Sequence, residues 1–188
     1  VTGVQTCALP IYVALPLFYV SPGQVNAVLP MGLAAGVYNF TVEVGGVRGN
    51  DIQLTVGPFA PGIFTIDGTG RGAGIFLKAD GSLITTANAA ARGSVVSFYA
   101  VGLGAVTPEL NAGEPGRGTN PLNRTNTLPR VFFDNLEGTV SFSGIAPGFA
   151  GLYQVNVQVP AGLSPASNIP VSMTIGGAAS NRVTIPVQ

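Results

Sequence analysis

The sequence predicts an all-β fold built from short strands, and three observations carry that prediction. Hydrophobic residues make up 46% of the 188 residues while charged residues make up only 9%, the reverse of the balance that keeps a chain disordered. Gly and Pro, 27 and 15 in number, are spread along the chain, as many tight turns between short strands require. Apolar and polar residues alternate in several segments, and none of useful length repeats apolar residues at i, i+3, i+4 and i+7. A single helical turn over Ala87–Ala91 is the most the pattern allows.

The strands are organised by a repeat. Gln24-Val25-Asn26, Pro30, Gly32 and Leu33 recur 130 positions later as Gln154-Val155-Asn156, Pro160, Gly162 and Leu163. Gly45-Gly46 and Asn50 recur 131 positions later as Gly176-Gly177 and Asn181. Preserved order and spacing are the mark of a duplication. Tyr153, Val155, Val157 and Val159 alternate with Gln154, Asn156 and Gln158, the period of a half-buried strand. Pro160 ends it, because proline has no N–H for the ladder. A second strand is expected over Val37–Val44 in the first copy and Ile169–Ile175 in the second. The Gly-Gly pair then supplies the positive φ of a hairpin turn, and β-branched runs, Ile52–Val56 and Val183–Val187, form the third strand.

Ahead of the second copy, Gly57 to Tyr153 supplies strands near Gly62–Ile66, Gly74–Lys78, Leu83–Thr86, Val95–Val101, Val131–Asp134 and Thr139–Phe142. With the common block that makes about nine short strands, the count of a β-sandwich. Ahead of the first copy stand only Tyr12 to Gly23. The expected architecture is therefore tandem immunoglobulin-like β-sandwich modules, the first truncated. Residues 12–57 would form the C-terminal half of a first module and residues 58–188 a complete second one. The first module's strands should leave an unpaired edge or lean on the second, and exposed edges of this kind favour aggregation.

Residues 1–11, VTGVQTCALPI, resemble one reading frame of a short-read sequencing adapter and are set aside from fold reasoning. Cys7, the only cysteine, then falls outside the native sequence, and no disulfide speaks for a redox compartment. Ala8 to Val20 is apolar, but it has no basic flank, contains two prolines and, at 13 residues, is too short to span a bilayer.

At FYVSPGQVNAVLP, APGIFT, FYAVGLGAVTP, FSGIAPGFAGLYQVNVQVP and GGAASNRVTIPV the chain resembles an uncharacterised family. Its members are immunoglobulin-like (IPT/TIG-like) C-terminal modules of large exported acidobacterial proteins. The resemblance runs from Tyr12 to Gln188, with several linked motifs in order. The family's opening Pro-Gly-Ser strand is missing before the first motif, in keeping with a truncated first module. The resemblance implies an extracellular or cell-envelope location behind larger domains. It brings no established activity and no catalytic residue to carry over.

The residue types exclude several chemistries. There is no histidine, which removes Ser-His-Asp and Cys-His nucleophile systems and the commonest transition-metal ligand. Eight basic and eight acidic residues sum to zero charge, and the basic ones form no cluster. A nucleic-acid partner or attraction to a membrane surface is not expected. Gly68-Thr69-Gly70-Arg71-Gly72-Ala73 matches a dinucleotide-binding glycine pattern, but a strand-like Gly74-Ile75-Phe76-Leu77 follows where that site needs a helix N-terminus. It reads as a hairpin loop. Asp67 and Asp80, each before a glycine, read as turn residues. No D-x-D-x-D run marks a calcium site, and no cofactor is expected.

Two sets of residues are candidates for binding. Gln24 with Asn26, and Gln154 with Asn156, project from one face of their strands. They could hydrogen-bond a sugar, but their recurrence favours a structural task such as satisfying backbone groups beside a loop. The polar connection Ala105 to Pro129 is longer than the ~12–15 residues above which loops tend to be functional or disordered. It carries Glu109, Asn111, Glu114, Arg117, Asn120 and Arg124. A self-packed surface loop is its plainer reading. The sequence thus leads to a non-catalytic spacer or adhesion-type module, partnered by other domains of its parent protein. A polysaccharide-binding module using the 105–129 loop is the alternative. A glycosidase fragment built on Glu109 and Glu114 is a remote one, because the loop offers the two acids no aromatic platform.

Overall fold

The computed structural model describes residues 13–188. The adapter-like segment and Cys7 lie outside the described residues, as does Tyr12. Every described element is a strand or a turn. Six strands fall in residues 13–56: β1 (Leu17–Ser21), β2 (Gln24–Ala27), β3 (Gly36–Phe40), β4 (Glu43–Val44), β5 (Val47–Arg48) and β6 (Ile52–Val56). The next stretch holds β7 (Gly62–Ile63), β8 (Phe76–Leu77), β9 (Val95–Val101), β10 (Val106–Thr107), β11 (Arg124–Thr125) and β12 (Arg130–Phe133). The chain closes with β13 (Leu136–Ile145), β14 (Tyr153–Gln158), β15 (Ala166–Ile175), β16 (Ala178–Ala179) and β17 (Val183–Val187). Among the described residues no helix is long and apolar enough to cross a membrane.

The eleven strands β7–β17 form one sandwich-like sheet, with β15 flanked by β12, β16 and β17 and β14 flanked by β9 and β13. The long strand β13 joins the two groups. Leu136–Gly138 pair with β12, while Thr139–Ile145 pair with β14 around an irregularity between Val140 and Phe142. Bulges of this sort bend a strand and let it pass from one layer to the other. Alternation sets the inner face. Val96, Phe98 and Ala100 of β9 meet Val155 and Val157 of β14 and Val183 and Ile185 of β17 in one core. Phe76 and Phe98 sit with ring centroids 5.4 Å apart. Each such valine, isoleucine or phenylalanine side chain, fully removed from water, contributes about 1.5–3 kcal/mol.

The edges of this sheet are closed or short. Residues 72–74 and 90–92 exchange backbone hydrogen bonds with the free side of β17, as in Gly74 N–H to Thr184 O at 3.0 Å and Ala90 N–H to Pro186 O at 2.9 Å. At the other margins β7, β8, β10 and β16 are two-residue strands, a common protection against edge pairing.

The strands of residues 13–56 repeat part of this arrangement in register. Tyr38 pairs with Leu54 and Phe40 with Ile52, as Ile169 pairs with Ile185 and Val171 with Val183, each 131 positions on. Val44 pairs with Val47 across Gly45-Gly46 as Ile175 pairs with Ala178 across Gly176-Gly177. All four glycines have positive φ, the requirement of a two-residue hairpin loop.

Several boundaries differ from those expected. The strand expected over Val37–Val44 breaks after Phe40, whereas its counterpart β15 is continuous. The reason is lateral support: β12 pairs with Val171 to Thr174 of β15, and among the described residues nothing stands in that place beside β3. Leu83–Thr86 forms isolated bridges only, and no helical turn forms at Ala87–Ala91, where Asn88 instead bridges Thr85. The expected strands at Gly62–Ile66 and Gly74–Lys78 shorten to β7 and β8, and Thr139–Phe142 lengthens to β13.

Candidate functional site

The 105–129 connection is a folded structure with its own ladder. Val106 and Thr107 pair with Thr125 and Arg124, and Arg124 pairs onward with Gly144 of β13. Its organiser is Asn123, fully buried. The Asn123 side-chain amide donates to Pro108 O at 2.6 Å, and its Oδ1 accepts from the Arg117 backbone N–H at 2.8 Å. Leu110 is buried beneath the loop and Gly116 bridges Pro147. Gly144 lies so close to Asn123 that an added Cβ would fall 2.2 Å from its carbonyl oxygen.

The six candidate residues of this loop do not converge. Asn111 donates from its backbone N–H and its side chain to Glu114 Oε2, at 3.0 and 3.1 Å, closing a small exposed turn. Glu109 and Arg117 are exposed. Only Asn120 and Arg124 line a common cleft, open and about 690 Å³ in volume, with Thr107, Pro108, Pro121 and Leu122. The Arg124 guanidinium lies 5.0 Å from the centre of the Phe142 ring, a cation–π contact that fixes its direction. Pro108 and Pro121 both follow cis peptide bonds.

Asn123 was not among the candidates. Its only sequence signal is the Asn-Arg-Thr glycosylation pattern, and burial of its amide in two hydrogen bonds keeps that nitrogen inside the fold. A polar residue in a Gly/Pro-rich loop reads as solvated until the loop is closed over it.

The recurring Gln/Asn pairs have the same geometry in both places. Gln24 Nε2 donates to Asn26 Oδ1 at 2.7 Å, and Gln154 Nε2 donates to Asn156 Oδ1 at 2.8 Å. The expected bonds to backbone groups are replaced by a bond within each pair. Side chains two apart on a strand share a face and come within reach of each other.

The glycine-rich loop at residues 68–73 is a turn followed by strand pairing. Gly68, Gly70 and Gly72 all have positive φ. Asn181 holds this loop: its amide donates to Ile63 O at 2.9 Å and Gly70 O at 2.7 Å, and its Oδ1 accepts from Ile63 N–H at 2.7 Å. The turn aspartates act as read from sequence. The Thr69 backbone N–H, with the Thr69 and Thr65 hydroxyls, holds the Asp67 carboxyl below its ordinary pKa. The Ser82 hydroxyl and N–H do the same for Asp80. Hydrogen bonding and ion pairing with Arg130 lower Glu137. These three carboxylates are held ionised by local donors, whereas a general acid needs a raised pKa.

Burial pushes the Tyr153 phenol up to about 12. Its hydroxyl donates to Gly104 O, which fastens the end of β14 to the turn after β9. Among the described residues no group of three or more acidic or cysteine side chains is placed to hold a metal ion. Comparison of the chain with protein-family models, curated proteins and solved structures finds no match.

Proposed function

We propose that the chain is a non-catalytic, extracellular or cell-envelope module of spacer or adhesion type, carried within a larger exported protein. In this reading the two blocks are related immunoglobulin-like modules of the kind the motifs resemble. The observation that carries the proposal is where the chain spends its interior polar groups. Asn181 and Tyr153 each tie a loop to a strand, and Asn123 ties two parts of the 105–129 loop together. Among the described residues no buried side-chain nitrogen or oxygen lacks a partner. Catalytic sites, in contrast, hold polar groups toward a cavity and away from internal partners.

One observation favours a second reading, a polysaccharide-binding module. Asn120 and a ring-backed Arg124 share an open cleft with apolar walls, a combination of orienting polar groups and apolar surface that ligand sites use. A pull-down of the full chain on insoluble polysaccharides and cell-wall fractions separates the two. The spacer reading predicts no retention by a chain that keeps its β-type circular dichroism. Retention abolished by Asn120→Ala or Arg124→Ala would replace it with the binding reading. Excising the loop would not serve, because Leu110 belongs to the core and Asn123 is fully buried.

A further inference from the structure

We propose that residues 57–63 form a stiff joint: the Phe59 ring, seated over Gly104 and Gly176, fixes the direction in which the block 13–56 leaves the larger unit. What the joint is for rests on the spacer reading. It makes the chain a spacer that keeps an orientation as well as a distance.

Motion between linked units is the default, because linkers are exposed and few contacts cross them. This linker departs from that pattern in its sequence and in its packing. β6 stays on its ladder as far as Val56, which pairs with Gly36. Only Gly57 and Pro58 then precede Phe59, and two residues reach at most about 7 Å. Proline fixes its own φ and keeps the residue before it out of the helical region. Gly57 is therefore the one pivot between the ladder and the seat.

Glycines shape the seat to the linker. An added Cβ at Gly104 would fall 2.7 Å from the Phe59 ring and 2.9 Å from Pro58 O. One at Gly176 would run into the same ring, and one at Gly102 would strike the Ala60 carbonyl. All three glycines have positive φ, and they lie in the turn after β9 and the turn between β15 and β16. Phe59 itself packs against the main core. Backbone bonds carry the hold onward. Ala60 N–H donates to Gly102 O at 2.9 Å, Gly62 and Ile63 pair with Val101 and Ala100, and Ile63 N–H donates to Asn181 Oδ1 at 2.7 Å. The Tyr153 hydroxyl braces the seat by donating to Gly104 O.

One seat would still allow rotation about Gly57, and a second contact opposes it. Val28, just after β2, lies against the loop between β13 and β14, where an added Cβ at Gly151 would fall 2.6 Å from its side chain. The Val28 N–H donates to Pro16 O at 3.0 Å. Two contacts on different loops, with so short a tether, leave little room for a swing.

The test uses the full chain with Cys7→Ser and spin labels on Asn50→Cys and Ser164→Cys, both exposed positions. Electron–electron double resonance reads the distance between the labels, and the parent should give a single narrow peak. Phe59→Ala should lose that peak to a broad distribution and speed exchange of the Ala60 amide by roughly tenfold or more. Amides of β3, β6 and β14 should keep their parent rates. A Gly-Gly insertion between Gly57 and Pro58 alters no packed side chain. It should broaden the distribution while the Ala60 amide stays slow. A broad distribution in the parent, or a peak that stays narrow in either variant, would overturn the proposal. So would faster exchange in β3 and β6 of Phe59→Ala, which would assign the ring to the folding of the first block. Retention on a polysaccharide would remove the spacer reading without moving the peak, so the two failures are separate.

Discussion

Asn50 and Asn181 stand 131 positions apart, each after a Gly-Gly hairpin turn, and they do different work. Asn181 satisfies both backbone groups of the buried Ile63 and the carbonyl of Gly70. Removing it leaves the N–H and C=O of buried Ile63 unpaired, each costing about 1–3 kcal/mol, whereas the carbonyl of half-buried Gly70 can turn to water. Chemical unfolding followed by circular dichroism should therefore show Asn181→Ala destabilised by about 2–4 kcal/mol. Asn50→Ala should lie within about 0.5 kcal/mol of the parent, as exposed substitutions usually do. Equal losses would mean that Asn50 has a partner in the folded chain.

The same scale shows where the sequence was opaque. Asp67 and Asp80 announced their turns, because an Asx side chain bonds its own backbone two residues on, and that interaction is local. Asn123 could not announce itself. Its two partners, Pro108 O and Arg117 N–H, are 15 and 6 residues away, and only the closed loop brings them together. Of the six candidate loop residues, Asn120 and Arg124 meet in one cleft for the same reason: β11 sets Arg124 beside Thr107, which no spacing in the sequence encodes.

At the level of elements, strands with an uninterrupted period of two were legible to their ends. β9 was expected at Val95–Val101 and β17 at Val183–Val187, and both occur there. β13 was legible only in part, because it is held by close backbone approach. A Cβ at Gly138 would fall 2.6 Å from Val157, and one at Gly144 would strike Asn123; glycines carry no alternation to read. The Gly-Gly turns were legible because two positive φ values leave few other residues. Their surroundings were not. A Cβ at Gly176 would lie 2.2 Å from Phe59, whereas Gly177 faces open space. Gly177→Ala should cost about 1–2 kcal/mol of left-handed strain. Gly176→Ala should cost at least about 1 kcal/mol more, as Phe59 gives way in a packed region. Urea midpoints of the two variants check the order, and a larger loss at Gly177 would refute the role given to Phe59.

The whole molecule joins a closed unit to an open one. Residues 60–188 bury alternate residues of β9, β14, β15 and β17 and cover the free side of β17. Residues 13–56 keep the register of the last strands but expose the side chains that would line a core. They lean on the larger unit at a few points: an added Cβ at Gly113 would meet Pro16, one at Gly151 would meet Val28, and Met31 packs against the main core. In the sequence, 23 residues precede the first Gln-Val-Asn motif, and the 97 residues from Gly57 to Tyr153 separate the end of the first block from the second motif. The first block forms three separate two-stranded sheets, and among the described residues no strand beside it plays the part of β12 or β9.

Local opening free energy follows burial and lateral pairing, so native-state amide exchange of the full chain tests the account most directly. Amides of β9, β13 and β14 should exchange through global unfolding, slower by roughly a thousandfold or more than those of β2, β3 and β6. Comparable protection in residues 13–56 and 60–188 would contradict it, because it would mean that the first block is as fully paired and buried as the second.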